Sequence, residues 1–266
     1  MILDGRAIAD DIYAQLKARR DLIPRPLHLG ILVVGVNPVI EQFVRIKMRA
    51  SAALSIDTTR VDLPAESSTT DIVGAVRELA TRVDALIVQL PLPKGIDTDA
   101  VLAEIPHAQD VDALNPHHTG ALSAIEAPVA LAVVELLRRG SVEIRGARTV
   151  VVGGGRLVGA PSAQLLSKLG AHVSLFTLEE GTIDDLKTAD IIVCGAGNPN
   201  FIKPEHIRAG VAIIDAGASE DGGVVRGDAD PACAEKASVF TPVPGGVGPV
   251  AVAMIFKNLL DLTESH

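Results

Sequence analysis

Residues 148–176 read RTVVVGGGRLVGAPSAQLLSKLGAHVSLF. A β-branched run, RTVVVG, is followed by a glycine loop, a helical pattern, and a second run, HVSLF. Gly153, Gly155 and Gly159 form G-x-G-x-x-x-G, a looser relative of the dinucleotide fingerprint. In such a turn glycine permits close backbone approach to a pyrophosphate, which rests on the helix N-terminus. The surrounding strand–loop–helix–strand order is the context this motif requires. A glycine-rich βα turn in any doubly wound protein has the same look. Either way the stretch sets a parallel α/β fold, and the chain on both sides follows it.

Downstream, strands are expected at 190–194 (DIIVC), 211–215 (VAIID) and 238–240. Helices are expected near 159–169, 182–188 and 204–208, with a last one over Gly248–Leu262. Upstream the alternation repeats. Asp4–Leu22 reads as an amphipathic helix, His28–Gly35 (HLGILVVG) as a strand and Thr58–Leu63 as a short strand. Thr69–Arg82 reads as a helix opened by Ser/Thr caps, and Ala85–Leu90 (ALIVQL) as a strand. Strands alternating with helices imply βαβ units and a parallel sheet. Between Asp97 and Glu126 the pattern weakens, and Pro128–Arg139 is apolar enough for a buried connecting helix. The expected division is residues 1–126 for a first domain, to which 244–266 return, and 127–243 for a Rossmann-like domain. The fold class is α/β with two domains: a Rossmann-like nucleotide domain, and a three-layer α/β substrate domain completed by the C-terminal helix.

Composition agrees. Of 266 residues 48% are hydrophobic but only 2% aromatic, so Val, Ile, Leu and Ala must build the core, as suits helices on a buried parallel sheet. A net charge of −9 and one Tyr with five Phe argue against a nucleic-acid surface. The beginning MILDGRAIADD has no basic segment followed by a long apolar one, and no apolar run is long enough to span a bilayer. Cys194 and Cys233 offer neither a disulfide framework nor zinc-ligand spacing. The plain reading is a cytoplasmic protein with no membrane, nucleic-acid or metal partner.

Several side chains stand out. After HVSLF comes TLEEG. Glu179 and Glu180 can accept hydrogen bonds from a ribose 2′-OH and repel a 2′-phosphate, favouring NAD over NADP. Equally, these acids suit the start of the next helix. Gln89 closes ALIVQL at the strand end where open α/β sheets bind ligands, or it satisfies the turn backbone. Asp110 and Asp112 in QDVDAL either cap a turn or bind substrate N–H groups. The rigid loop TPVPGGVGP exposes backbone groups, as both ligand contact and a structural turn require. In EQFVRIKMRA (41–50), Phe43, Ile46, Lys47 and Ala50 share a helix face expected to be buried. Its lysine either snorkels to the surface or, held away from water, serves as acid, base or polariser.

The stretches VGVNPVIEQFVRIKMRA, ALIVQLPLPKGID, DVDALNP, GGGRLVGAPSAQLL, ADIIVCGAGNPNFI and TPVPGGVGPVAVAMI together resemble the methylenetetrahydrofolate dehydrogenase/cyclohydrolase family, in its order and spacing, over essentially the whole chain. The resemblance implies two domains around a cleft, a homodimer, and oxidation of 5,10-methylenetetrahydrofolate by hydride transfer to NAD(P)+, followed in most members by hydrolysis to 10-formyltetrahydrofolate. It implies Lys47 as the catalytic lysine, Gln89 as the residue that holds it, and Asp112 as the partner of the pterin. Phe43, Leu90, Pro244, Gly245, Gly246 and Pro249 would line the folate site. Gly153, Gly155, Arg156, Val158, Gly159, Glu179 and Gly195 would line the cofactor site.

The chain also departs from the family pattern. Phe43 replaces the usual tyrosine one turn before the lysine. The Pro-Cys-Thr-Pro segment is missing and its region reads SAIEAPVALAVVELL. Gly155 stands for the usual serine, Ala160 for an arginine, Ala113 for the glycine of DVDG, and Val250-Ala251 for Met-Thr. A phenyl ring cannot relay a proton, so the expectation is a dehydrogenase with weak or absent cyclohydrolase activity. The alternatives are a non-catalytic folate- or nucleotide-binding paralogue, or an oxidoreductase of the same fold acting on another small iminium or amine.

Overall fold

The protein is described from a computed structural model covering residues 1–117, 125–177, 180–221 and 224–264. The chain divides into two compact units. One is Ile12–Pro128 with Ile255–His266; the other is Met1–Asp11 with Val129–Met254.

The first unit is built on three parallel strands. Helix α1 (Gly5–Arg20) begins in the other unit and enters this one. It is followed by β1 (His28–Val34), α2 (Pro38–Ala53), β2 (Asp57–Leu63), α3 (Thr69–Ala80), β3 (Ala85–Val88) and the short α4 (Thr98–Leu102). The strand order is β2-β1-β3. Nearly all of β1 and all of β3 are buried, which explains their unbroken apolar runs. Helix α3 opens on a capping box in which Ser68 and Asp71 satisfy each other's backbone N–H, and it buries Ile72, Val76 and Leu79. Asp110 adds a single parallel bridge to Leu86 beyond β3.

Helix α2 corrects one expectation. Phe43 and Ile46 are exposed, at 45% and 39%. The buried stripe is Ile40, Val44, Ser51 and Leu54, with Lys47 half-buried among them. These positions step by four, three, four and three residues, as a helix face must. Ser51 is tolerated inside because its Oγ donates to the Ile56 carbonyl and accepts from Thr58 Oγ1. Asn37 Oδ1 accepts from the Ile40 N–H and Pro38 occupies the first helical position, so the helix has a defined start.

The second unit takes in α5 (Pro128–Arg139) from Val129 on. It also comprises β4 (Arg148–Val152), α6 (Gly159–Lys168), β5 (His172–Phe176), α7 (Ile183–Leu186), β6 (Ile191–Cys194), β7 (Ala212–Asp215), the hairpin β8 (Ser219–Asp221) and β9 (Val224–Arg226), β10 (Val239–Phe240) and the start of α8 (Val247–Glu264), whose residues from Ile255 belong to the first unit. Five parallel strands run in the order β10-β7-β6-β4-β5. The first residues of the chain join this sheet: Ile2 bridges Phe240, and the Leu3 N–H donates to the Phe240 carbonyl. The helix expected at 204–208 is only a 3-10 turn over Pro204–His206. Helix α4 and the β8–β9 hairpin went unread because neither is long enough to show a period.

Candidate active site

Open parallel sheets bind ligands outside the carboxyl ends of their strands, where the strand order reverses. In the first unit that point lies between β1 and β3. Gln89 follows β3 directly, and its N–H donates to the Leu32 carbonyl of β1. Only 8% of Gln89 is exposed. Its Nε2 donates to the Leu90 carbonyl at 2.8 Å, which turns Oε1 toward α2. There Lys47 Nζ donates to that oxygen at 3.0 Å. The lysine therefore does not merely snorkel: its ammonium is held against a buried amide at the sheet's switch point.

Asp112 completes the group electrostatically. It keeps partial access to solvent, yet burial of its carboxyl raises its pKa above the usual carboxylate value. Lys47 opposes that rise and Asp110 adds to it. Asp110, fully buried, serves the backbone: its Oδ2 accepts from the Asn115 N–H at 2.7 Å. Asn115 in turn donates to the Ala103 and Ile105 carbonyls and accepts from the His117 N–H. Of the two aspartates, Asp110 ties the loop and Asp112 faces the lysine's field. Ala113, where the family pattern has glycine, sits at φ +52°, a conformation that favours glycine. Phe43 lies one turn before Lys47 with its ring in solvent. Leu90 is half-buried. Thr119 and Ser123, whose hydroxyls could stand in for the missing phenol, lie outside the described residues.

The second unit has its own switch point, between β4 and β6. Gly153 and Gly195 are the residues immediately after these two strands. Gly153 has φ +92°, and a Cβ there would lie 2.7 Å from the Gly195 carbonyl oxygen. A Cβ on Gly159 would lie 1.8 Å from the Gly153 oxygen, and one on Gly195 would lie 2.4 Å from the Val158 side chain. The four residues thus interlock at backbone contact. Gly155 differs: a Cβ there would meet nothing within 4 Å. It and Arg156 are exposed. Helix α6 begins with no capping side chain, so its N-terminus suits an anion. These residues fit the pyrophosphate of a dinucleotide. On the ribose side, Glu179 lies outside the described residues. Glu180 is exposed, and its N–H donates to Thr177 Oγ1.

The 244–249 stretch, with four expected folate contacts, is packed within the second unit. The Gly5 N–H donates to the Gly245 carbonyl, and a Cβ on Gly246 would lie 2.6 Å from the Pro242 oxygen. Pro244 is exposed and Pro249 half-buried.

Two residues escaped the sequence reading. Asp215 ends β7, and its Oδ1 accepts from the Gly217 and Asp228 N–H groups while Oδ2 accepts from Ala229. Burial pushes its pKa up to about 7 against all three of these hydrogen bonds, and the charge of Asp228 adds to the rise. Asp228 is itself fully buried. The available signal was an aspartate closing an apolar run, IIDAG, but without a motif around it.

Among the described residues no helix is long and apolar enough to cross a membrane, and no group of three His, Cys, Asp or Glu is placed to hold a metal.

Residues 3–112 match the tetrahydrofolate dehydrogenase/cyclohydrolase catalytic domain, and residues 127–266 match that family's NAD(P)-binding domain. The bifunctional protein FolD of Halothermothrix orenii is 36% identical over 100% of this chain and 98% of its own. The bifunctional FolD enzyme of Campylobacter jejuni superposes with a TM-score of 0.93 at 28% identity, covering 100% of this chain and 99% of the other. The Trypanosoma brucei dehydrogenase-cyclohydrolase, solved with NADP and an inhibitor, gives 0.90 at 33% identity, covering 100% and 97%. The chain belongs to the tetrahydrofolate dehydrogenase/cyclohydrolase family.

Proposed function

We propose that the protein oxidises 5,10-methylenetetrahydrofolate to the methenyl form, passing a hydride to NAD(P)+, and hydrolyses that product to 10-formyltetrahydrofolate. The observation that carries this reading is the Lys47–Gln89 hydrogen bond at the carboxyl end of a parallel sheet. It counts against a non-catalytic paralogue, because the reacting side chain and its holder are both intact. The bifunctional relatives support both half-reactions. The expectation of weak hydrolysis rests on Phe43 alone.

In this reading Asp112 accepts hydrogen bonds from the pterin, and Phe43 and Leu90 bound the folate. The Lys47 ammonium polarises the one-carbon unit and guides water to the methenyl carbon. Gln89 fixes Nζ and leaves its remaining N–H bonds for the substrate. NAD(P)+, when bound, accepts the hydride. Gly153, Gly155, Arg156, Val158, Gly159 and Gly195 form its seat. The acidic 179–180 turn carries no lysine or arginine, which supports NAD over NADP. We place the protein in the cytoplasm and read it as a homodimer.

The test is cofactor reduction by the purified protein with methylenetetrahydrofolate, run separately with NAD+ and NADP+, alongside hydrolysis of methenyltetrahydrofolate. Turnover favouring NAD+ is expected. No reduction of either cofactor would overturn the reading.

A further inference from the structure

The loop after β6, residues 195–198, forms one wall of the crevice at the second switch point. Its residues 196–198 are exposed, and no regular element pairs with them. Their N–H groups nevertheless all turn inward. Ala196 and Gly197 donate to Asp228 Oδ2 at 2.7 and 3.2 Å, and Asn198 donates to Oδ1 at 2.7 Å. Asp228 has no accessible surface. Its backbone is fixed in turn, since the Asp228 and Ala229 N–H groups donate to Asp215. Space confirms how tightly the pair is seated. A Cβ on Gly217 would lie 2.3 Å from the Asp228 carboxyl carbon, and one on Gly227 would lie 2.2 Å from Asp215 Oδ2.

We infer that Asp228, braced by Asp215, is a positioning residue for dinucleotide binding: it shapes the 195–198 wall without touching the cofactor. The inference rests on the dinucleotide reading of this crevice. With their three N–H groups turned toward Asp228, residues 196–198 offer no backbone donors to phosphate. The pyrophosphate therefore belongs to the Gly153–Gly155 side, at the α6 N-terminus. The 195–198 wall, fixed in shape by Asp228, then borders the rest of the dinucleotide. Losing Asp228 frees the wall and leaves the glycine loop intact.

The experiment compares wild type, Asp228→Ala, Asp228→Asn and Gly217→Ala. Gly217→Ala keeps both carboxylates but crowds Asp228 out of place. NAD+ and NADP+ binding is measured by calorimetry, folate binding by the same method, and KM and kcat for each substrate by steady-state assay. Charge-assisted hydrogen bonds are the strong ones, so Asp228→Ala is expected to raise Kd and KM for the dinucleotide by about 10-fold or more. Kd for the folate should stay within about twofold, since no residue assigned to the folate bonds to the Asp228 carboxylate. Asp228→Asn should fall between, because its remaining oxygen can still accept from one side of the loop. If Asp228→Ala does not fold, Asp228→Asn and Gly217→Ala carry the same comparison. Wild-type dinucleotide affinity in every folded variant overturns the inference alone. Loss of folate and dinucleotide binding together shows a merely structural role and also overturns it. Wild-type protein that binds neither NAD+ nor NADP+ overturns the dinucleotide reading itself, and the inference with it.

Discussion

Lys47 Nζ donates to Gln89 Oε1 across 3.0 Å, and Gln89 is locked in turn because its Nε2 donates to the Leu90 carbonyl. The two residues come from different elements, 42 positions apart. Their meeting follows from the β2-β1-β3 order, which sets the end of β3 beside β1. Lys47→Met removes the ammonium but keeps the half-buried stem. Loss of a positioned proton-handling group costs about 10²–10⁴-fold, and hydrolysis of methenyltetrahydrofolate should fall by that amount. Gln89→Leu should act more mildly, by about 10-fold, through loss of one charge-assisted bond. Steady-state hydrolysis rates check both, and equal losses in the two variants would contradict the ordering.

Phe43 precedes Lys47 by one helical turn and its ring stands in solvent. Phe43→Tyr therefore adds a hydroxyl without disturbing the buried stripe of α2. Stability should change by less than about 0.5 kcal/mol, as for most surface substitutions. The ratio of hydrolase to dehydrogenase activity should rise, because hydration needs proton transfers whereas hydride transfer depends on alignment. An unchanged ratio would show that the phenol is not what this site lacks.

How far the sequence reveals these relationships depends on the signal each one leaves. The parallel strands were legible because a strand buried on both faces reads as an unbroken apolar run, as ALIV and IIVC do. The buried face of α2 was misread because Ile40 lies just before the stretch considered, and because Ser51 is polar yet fully buried. Burial of Ser51 depends on partners from Ile56 and Thr58 that no periodicity shows. The residue types at the folate site came from the family resemblance; their contact came only from the fold. Asp215 left only the weak signal of an acid closing an apolar run and Asp228 left none, because their partners are backbone N–H groups, which every residue but proline carries.

Asp112 makes stability depend on pH. Its folded pKa lies above the ordinary value, chiefly through desolvation. Ionising it therefore costs more in the fold than in the unfolded chain. The sign follows: the neutral form is favoured at low pH, and stability is lost as pH rises from the ordinary carboxylate value through the raised one. Asp112→Asn mimics the neutral form. Urea unfolding should find it more stable than wild type at neutral pH, with the difference shrinking toward about pH 4, where the unfolded carboxyl is protonated. Folate affinity should meanwhile fall, since an amide offers the pterin one acceptor in place of two.

Asn258 on α8 is fully buried, and its Nδ2 donates to the Val111 and Glu126 carbonyls at 2.9 Å each. It thus ties the helix to both ends of the segment between Val111 and Glu126. Asn258→Leu keeps the volume and removes the donor of both bonds. At a net of about 0.5–1.5 kcal/mol for each hydrogen bond lost, the loss should reach about 1–3 kcal/mol. Chemical denaturation checks it.

The glycines of the 153–159 loop divide into two kinds, and alanine separates them. At Gly159 a Cβ would lie 1.8 Å from the Gly153 carbonyl oxygen, a contact with backbone that no rotamer relieves. Gly159→Ala must push α6 off β4, and should cost about 2 kcal/mol or more, in the range of overpacked sites. At Gly155 a Cβ would meet nothing within 4 Å, so Gly155→Ala should leave stability within about 0.5 kcal/mol of wild type. If the pyrophosphate lies over this loop, the added methyl projects toward it, and KM for the dinucleotide should rise while KM for the folate holds. Gly155→Ser, the residue usual in the family, adds a hydroxyl donor at the same place. A neutral hydrogen bond is worth about 0.5–1.5 kcal/mol, so it should tighten the dinucleotide by about two- to tenfold relative to Gly155→Ala. Thermal melts with dinucleotide titrations read both effects. A Gly159→Ala variant as stable as wild type would mean that the contact of α6 with β4 is not what demands glycine there.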